Sequence, residues 1–197
     1  MTAAGHDGGH TTLADVLGGY APASESEAAE LRRVRALASG ENPWDRATPL
    51  HLTASALIVH PPTRRVLLRW HPRQRAWLQV GGHADPHEEL PLAIALREGA
   101  EETGLADLTP WPDAALVHLV IVPVAAGSAE PAHEHADLRF VLATATPEAV
   151  RPENPEARLR WASIAEAREL TTEANLRETL SRVGRLLEDA PASAGAV

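Results

Sequence analysis

Arg97-Glu98-Gly99-Ala100-Glu101-Glu102-Thr103-Gly104-Leu105 is the stretch on which the reading of this chain turns. It closes a segment that opens at Pro91. Proline suits a first helical position, where its missing N–H is no loss. Gly104 suits the left-handed position just past a helix end. The punctuation predicts a helix over Pro91–Glu102. An earlier start would bury Pro91 inside the helix, at a cost of about 3 kcal/mol. At about 100° per residue, Leu92, Ala95, Leu96 and Gly99 share a narrow arc suited to packing on a sheet. Glu98, Glu101 and Glu102 fall on the adjoining arc at i, i+3 and i+4, so three carboxylates project into one volume.

That arrangement is unfavourable on its own. Like charges at this spacing destabilise a helix by about a few tenths of a kcal/mol per pair. They also crowd its last turn, the wrong end for the helix dipole. A hard divalent cation held by oxygens offsets both, and Mg2+ or Mn2+ fits best. Arg97 stands near enough to order the carboxylates.

Upstream, residues 1–22 are rich in Gly, Ala and His and read as loose at the start. Leu31, Val34 and Leu37 recur among charges between Ser24 and Ala38, an amphipathic helix with Ser24 or Ser26 as N-cap. His51 to His60 reads as a buried strand. Pro61-Pro62-Thr63-Arg64 is a turn, and Val66–Trp70 is a second strand, so the two form a hairpin. Trp77–Val80 is a short strand running into Gly81-Gly82. Downstream, Ala115–Val124 and His135–Ala145 read as strands, joined by a small-residue link, Ala125–His133. Arg158–Trp161 reads as a last short strand. Leu176, Leu180, Val183 and Leu187 mark a final amphipathic helix. Strands on both sides of one central helix predict a mixed sheet with helices packed on it, an α/β (α+β) fold. The domain division expected is a 1–42 extension with the amphipathic helix, a 43–189 domain that includes the final helix and a 190–197 tail.

Composition narrows the partners. The chain has 197 residues, a net charge of −9 and 44% hydrophobic residues. That charge argues against a nucleic-acid polymer, which needs a basic face. It leaves room for a small phosphorylated substrate screened by a cation. There is no cysteine, which excludes disulfides, thiolate zinc sites and thiol nucleophiles. All 18 basic residues are arginine, a pattern that reads mainly as base composition. No signal-peptide h-region and no long apolar run is visible, so no membrane partner and a cytoplasmic setting are expected.

The stretch Glu89…Arg97-Glu98-x-x-Glu101-Glu102-x-Gly104-Leu105 resembles the box of the Nudix (MutT-like) hydrolases. That box runs Gly, five residues, Glu, seven residues, Arg-Glu, an aliphatic residue, one more, Glu-Glu, one more, Gly, aliphatic. Two positions depart from it. The first glycine falls on His83, with Gly81 and Gly82 just before it, and the aliphatic position is Gly99. The resemblance implies an α/β/α sandwich and a metal-dependent hydrolase that cleaves a diphosphate linkage, in a nucleoside diphosphate derivative or a similar small molecule. It implies Glu98, Glu101 and Glu102 as ligands of Mg2+ or Mn2+, with the Gly82 carbonyl. Glu101, Glu98 and Arg97 become the catalytic set, and Glu89 and Gly104 brace the box.

The general base varies within this family, so residues outside the helix matter. Alternation along the strand around Phe140 puts His133, His135, Asp137 and Arg139 on one face, where they line a cleft or meet solvent. Glu153 and Glu156 precede the last strand. Trp77 stacks on a flat substrate group or packs in the core. Zinc is disfavoured for want of a tight His/Asp/Glu cluster; His71 and His118 are scattered. Val120 and Pro123 stand where subfamilies carry proline and tyrosine markers, and the sole tyrosine is Tyr20, so the substrate stays open. The N-terminal helix covers the cleft, mediates a homodimer or packs on the sheet. A Nudix-fold binding module without turnover is the alternative function. An isopentenyl-diphosphate isomerase-like activity is excluded by the absence of cysteine.

Overall fold

Two long strands carry the architecture. β1 (Leu50–His60) and β7 (His133–Ala143) run parallel, in register from Leu50↔Glu134 to Val59↔Ala143. All other pairings are antiparallel. β2 (Arg65–His71) pairs with β1, as the hairpin reading predicts. β3 (Ala76–Leu78) and β8 (Leu159–Ser163) pair with β2. β4 (Val80–Gly82) pairs with β1, and β5 (Thr109–Pro110) and β6 (His118–Val124) pair with β7. The eight-stranded sheet is therefore mixed. The computed structural model describes residues 11–127 and 131–190. The expectations for residues 1–10, for 128–130 of the link and for the tail past 190 lie outside them.

The strand expected at Trp77–Val80 is split. β2 pairs with β1 only at Ile58–His60, which leaves the Ala54–Ala56 stretch of β1 to receive β4. Gly81 makes that approach feasible. Its φ is +141°, and a Cβ there would lie 2.4 Å from Ser55 Cα.

One face of the sheet carries α1 (Leu13–Gly19), α2 (Glu25–Ala38) and α3 (Pro91–Thr103). These pack Val16, Leu31, Val34, Leu92, Ile94 and Ala95 against Leu52, Ile58, Leu138 and Phe140. The other face carries α4 (Ile164–Leu170) and α5 (Ala174–Asp189), over Leu57, Val59, Val66, Leu68 and Val141. Each fully buried Leu or Ile contributes about 1.5–3 kcal/mol.

α3 begins at Pro91, and its C-cap Gly104 has φ 68°, with its N–H on the Ala100 carbonyl at 2.8 Å. α1, within the stretch 1–22 that was read as loose at its start, was not expected. Thr12 and Asp15 form a reciprocal capping box, and Val16 and Leu17 are buried. α4 was not expected; a Ser163/Glu166 capping box starts it. The strand expected from Ala115 begins only at His118, and the one expected over His135–Ala145 runs two residues earlier at both ends.

The N-terminal helices are tied to the sheet. β6 offers backbone N–H groups that need partners. Leu119 donates to the Tyr20 hydroxyl at 3.1 Å and Ile121 donates to Glu30 at 3.1 Å. The Tyr20 hydroxyl donates to the buried Glu27, which also takes Arg182 of α5 at 2.8 and 2.9 Å. α2 and α5 are thus joined around the end of the sheet.

On the α4/α5 face, β1 and β7 change character along their length. His51↔His135, Thr53↔Asp137 and Ser55↔Arg139 come first, then Leu57↔Val141. The helices cover the apolar half. The polar half is left to line a cleft.

Candidate functional site

Arg97 organises the acidic end of α3. Its Nη1 donates to Glu98 at 3.0 Å and to Glu101 at 2.9 Å. Its Nη2 donates to the His83 carbonyl at 2.9 Å, and its Nε to Glu88 at 2.9 Å. The charge-assisted bond from Arg97 holds the Glu88 carboxyl below the usual range. The bond to Glu88, followed by the Glu98 charge, raises the guanidinium in turn.

The three glutamates differ in setting. Glu102 is buried; it accepts the Gly81 N–H at 3.1 Å and pairs with Arg69 at 3.2 Å. Burial outweighs the Arg69 charge and lifts its carboxyl to about 7. Glu98 is also raised by burial, against the pull of Arg97. The Glu101 side chain is 57% exposed. A Cβ at Gly82 would lie 2.7 Å from the Glu98 carboxylate. Glycine is therefore what allows the loop backbone to meet this carboxylate. Oxygen-only donors beside a bare backbone fit a hard divalent cation.

A cleft of about 260 Å³ runs from Gly81, Gly82 and Glu102 across Arg69 and Gln79 to His135, Asp137, Arg139 and Asn175. Asp137 forms its floor. It accepts from Thr53 at 3.2 Å, Ser55 at 3.0 Å, Gln79 at 3.2 Å and Arg139 Nε at 2.7 Å. Arg139 continues to Thr179 at 2.9 Å and Asn175 at 2.8 Å. Among the described residues, Arg69 Nε and Gln79 Oε1 are buried side-chain atoms without a hydrogen-bond partner. Such atoms are costly unless something fills them. A larger groove, about 1110 Å³, lies behind the 84–90 loop, between it and α1 and α2. Glu102 and the unpaired atoms of Arg69 and Gln79 meet on the smaller cleft, which makes it the candidate site.

At the far end of the cleft four histidines gather. His51 Nε2 is 3.1 Å from His83 Nε2, and His133 Nε2 is 3.0 Å from His135 Nε2. Burial, then the Arg46 charge, pushes His83 down to about 3.

The structure brings together Gly82, Arg97, Glu98 and Glu101, ties Glu102 to Gly81, and sets Gly82, Glu102, His135, Asp137 and Arg139 along one cleft. Three expectations need correction. The bracing expected of Glu89 is made by Glu88; Glu89 is exposed. Gly82 and Glu88 keep the box's spacing of five intervening residues, so the extra residue lies between Glu88 and Arg97 rather than in the glycine turn. Trp77 is not in the cleft; it meets Trp70 edge-on at 5.6 Å, with Arg158 over both rings, beside the α5 core. The tight histidine cluster judged absent is present, in His51, His133 and His135. Glu153 pairs with Arg69 at 3.2 Å, at the cleft's rim, and Glu156 is exposed.

Sequence reasoning missed Arg69, Gln79 and Glu88. Arg69 carried a usable signal, a cation closing the apolar run Val66-Leu67-Leu68, because a charge on a buried strand needs a partner. Gln79 carried none.

Comparison with known proteins places this geometry. The NUDIX domain family model matches residues 49–183. No curated protein matches the chain. A Nudix-family hydrolase from Clostridium perfringens is 25% identical, covers 70% of this chain and 96% of its own, and superposes with a TM-score of 0.52. An Ap4A hydrolase from C. elegans is 18% identical, covering 70% and 97%, with a TM-score of 0.53. The E. coli dihydroneopterin triphosphate pyrophosphohydrolase is 17% identical, covering 66% and 92%, with a TM-score of 0.52. The last two likenesses are of fold alone.

Proposed function

We propose that this chain, which belongs to the NUDIX domain family, is a divalent-metal-dependent hydrolase that cleaves the diphosphate linkage of a nucleoside diphosphate derivative or a similar small molecule. The observation that carries this reading is the set of Glu98 against Gly82, Glu101 clipped to Glu98 by Arg97, and Glu102 held by Gly81 and Arg69. The oxygens of Glu98, Glu101 and Glu102 and the Gly82 carbonyl would hold Mg2+ or Mn2+. A cation bound there neutralises diphosphate charge and acidifies a bound water.

The remaining work belongs to the chain's own groups. Arg97, anchored to Glu88 and to the loop carbonyl of His83, keeps Glu98 and Glu101 turned toward the Gly82 loop. Pre-set charges of this kind need not reorganise during the reaction. Arg69 fixes Glu102 and leaves its own Nε free to donate to a ligand oxygen. The Gln79 amide gives its N–H to Asp137 and turns an unsatisfied oxygen toward the cleft, suited to a ligand N–H or hydroxyl. Each nitrogen of the buried Arg139 guanidinium is already engaged, by Asp137, Thr179 and Asn175, so it stiffens the cleft floor rather than gripping phosphate. The sheet-facing polar residues thus split into ligand contacts, Arg69 and Gln79, and a supporting lattice, Asp137 and Arg139. Glu101 is the most exposed of the three carboxylates, the position from which water is activated with least disturbance to the fold.

A magnesium-dependent screen over nucleoside diphosphate sugars, dinucleoside polyphosphates, nucleoside triphosphates and non-nucleotide diphosphates tests the reading. Activity on at least one class, reduced on the order of 10²-fold or more in Glu101→Gln, is the expected result. Ligand binding without turnover on any diphosphate would make the chain a binding module.

A further inference from the structure

We propose that His51, His133 and His135, with His83 beside them, form a second metal site, for a borderline transition cation such as Zn2+, distinct in chemistry from the oxygen site on α3. His51, His133 and His135 each offer a ring nitrogen within 4.8 Å of the others. Two nitrogens on a tetrahedral zinc, each at about 2.0–2.1 Å from the metal, stand about 3.3 Å apart. The closest pairs here, His51–His83 at 3.1 Å and His133–His135 at 3.0 Å, are close to that spacing.

Hydrogen bonding fixes which nitrogen carries the lone pair. His51 Nδ1 lies 2.9 Å from the Thr48 carbonyl, and His133 Nδ1 lies 2.9 Å from the Pro131 carbonyl. A carbonyl only accepts, so each Nδ1 must be the protonated donor, and each Nε2 is left with an unshared pair. Both Nε2 atoms point into the cluster. An imidazole whose other nitrogen donates to a backbone carbonyl is the arrangement that orients histidine toward metals. Neutral imidazoles also select transition cations over magnesium, which prefers oxygens.

The fold builds this cluster from three separate places. His51 and His135 are register partners on the parallel β1–β7 pair. His133 stands two residues back on the same face of β7. His83 comes from the loop that follows β4, immediately after Gly82. A cation held by His51, His133 and His135 would fasten the two central strands beside His83 of the glycine loop, and His83 and His135 also line the cleft. The net charge of −9 favours cation uptake.

The test uses the full chain without an affinity tag, stripped with a chelator and dialysed. Zinc binding is followed by calorimetry and elemental analysis, and cobalt substitution by visible absorption. One equivalent of zinc, with the intense visible bands of four-coordinate cobalt, is expected. His51→Ala, His135→Ala and His133→Ala should each weaken zinc binding by about 100-fold, while Glu101→Gln binds zinc as the native chain does. His51 is buried and its replacement risks misfolding. His133 is only half-buried, so its variant, checked by circular dichroism, reads the site without that risk. Native protein that takes up no zinc, histidine variants that bind it unchanged, or zinc lost in Glu101→Gln would each overturn the proposal. Because the readout is binding, it stands or falls separately from hydrolysis.

Discussion

The two ends of the cleft are built on opposite principles. At one end the donors are carboxylate oxygens on adjacent turns of α3, two of them bridged by Arg97. At the other end the donors are imidazole nitrogens on β1, β7 and the Gly81-Gly82-His83 loop, His51 buried and the other three partly exposed. The acidic end gathers like charges, which only a cation, protein or metal, makes tolerable. The histidine end gathers no carboxylates, and its rings stack and hydrogen-bond with one another. The first is a site by electrostatic necessity. The second becomes a site through the direction of its lone pairs.

Breaking the acidic end has the largest expected effect. Glu101→Gln keeps size and hydrogen bonding but removes a charge, and hydrolysis should fall on the order of 10²-fold or more, with thermal stability nearly unchanged. Phosphate-release kinetics beside a melting curve would check it, and intact activity would displace Glu101 from its assigned role.

The imidazole-bearing face should answer to acid instead. His118, the register partner of Arg139 on β6, is pushed down to about 4 by burial and then by the Arg139 charge. Its unfolded value is about 6.5. The unfolded chain therefore takes up this proton first, so the stability is fully present above about pH 6.5 and is lost as pH falls toward about 4. Between about pH 7 and pH 5 this single group should cost about 2 kcal/mol of stability. Urea titrations across that window measure it, and His118→Gln should flatten the slope.

Gly82→Ala comes next. The added methyl lies against the Glu98 carboxylate, so a decrease in activity of about tenfold and weaker magnesium binding are expected. Zinc uptake at the histidine end should change far less, and a parallel loss of both would show that the two ends act as one. The smallest effect concerns bracing. Glu88→Gln should lower kcat a few-fold by loosening Arg97, while the same change at Glu89 should leave it unaltered, as steady-state kinetics would show.

How much of this was legible in the sequence depended on how local each feature is. α3 was legible almost to the residue, because Pro91 and Gly104 punctuate it and its periodicity needs no partner. The alternation of β7 was legible too, since Leu138, Phe140 and Leu142 face the core as period two requires. Trp77 was not: a tryptophan suits a cleft or a core equally, and only β3's pairing with β2 set it beside Trp70. Glu88 and Glu89 are adjacent acids, and the single inserted residue between Glu88 and Arg97 reassigns the brace from one to the other. α1 was hidden by composition, since a seven-residue helix has too few turns to show a period.

The sequence by itself determined the helix that gathers three carboxylates, the oxygen chemistry they favour and the family to which the chain belongs, because those depend on residues within a few positions of one another. Tertiary structure alone decided that Arg69 meets Glu102, that Glu88 meets Arg97, and that His51, His83, His133 and His135 share one end of the cleft. The histidine cluster depends on a parallel register between strands more than seventy residues apart in the chain. No local pattern encodes that register; it is set where the apolar halves of β1 and β7 are buried together beneath α5.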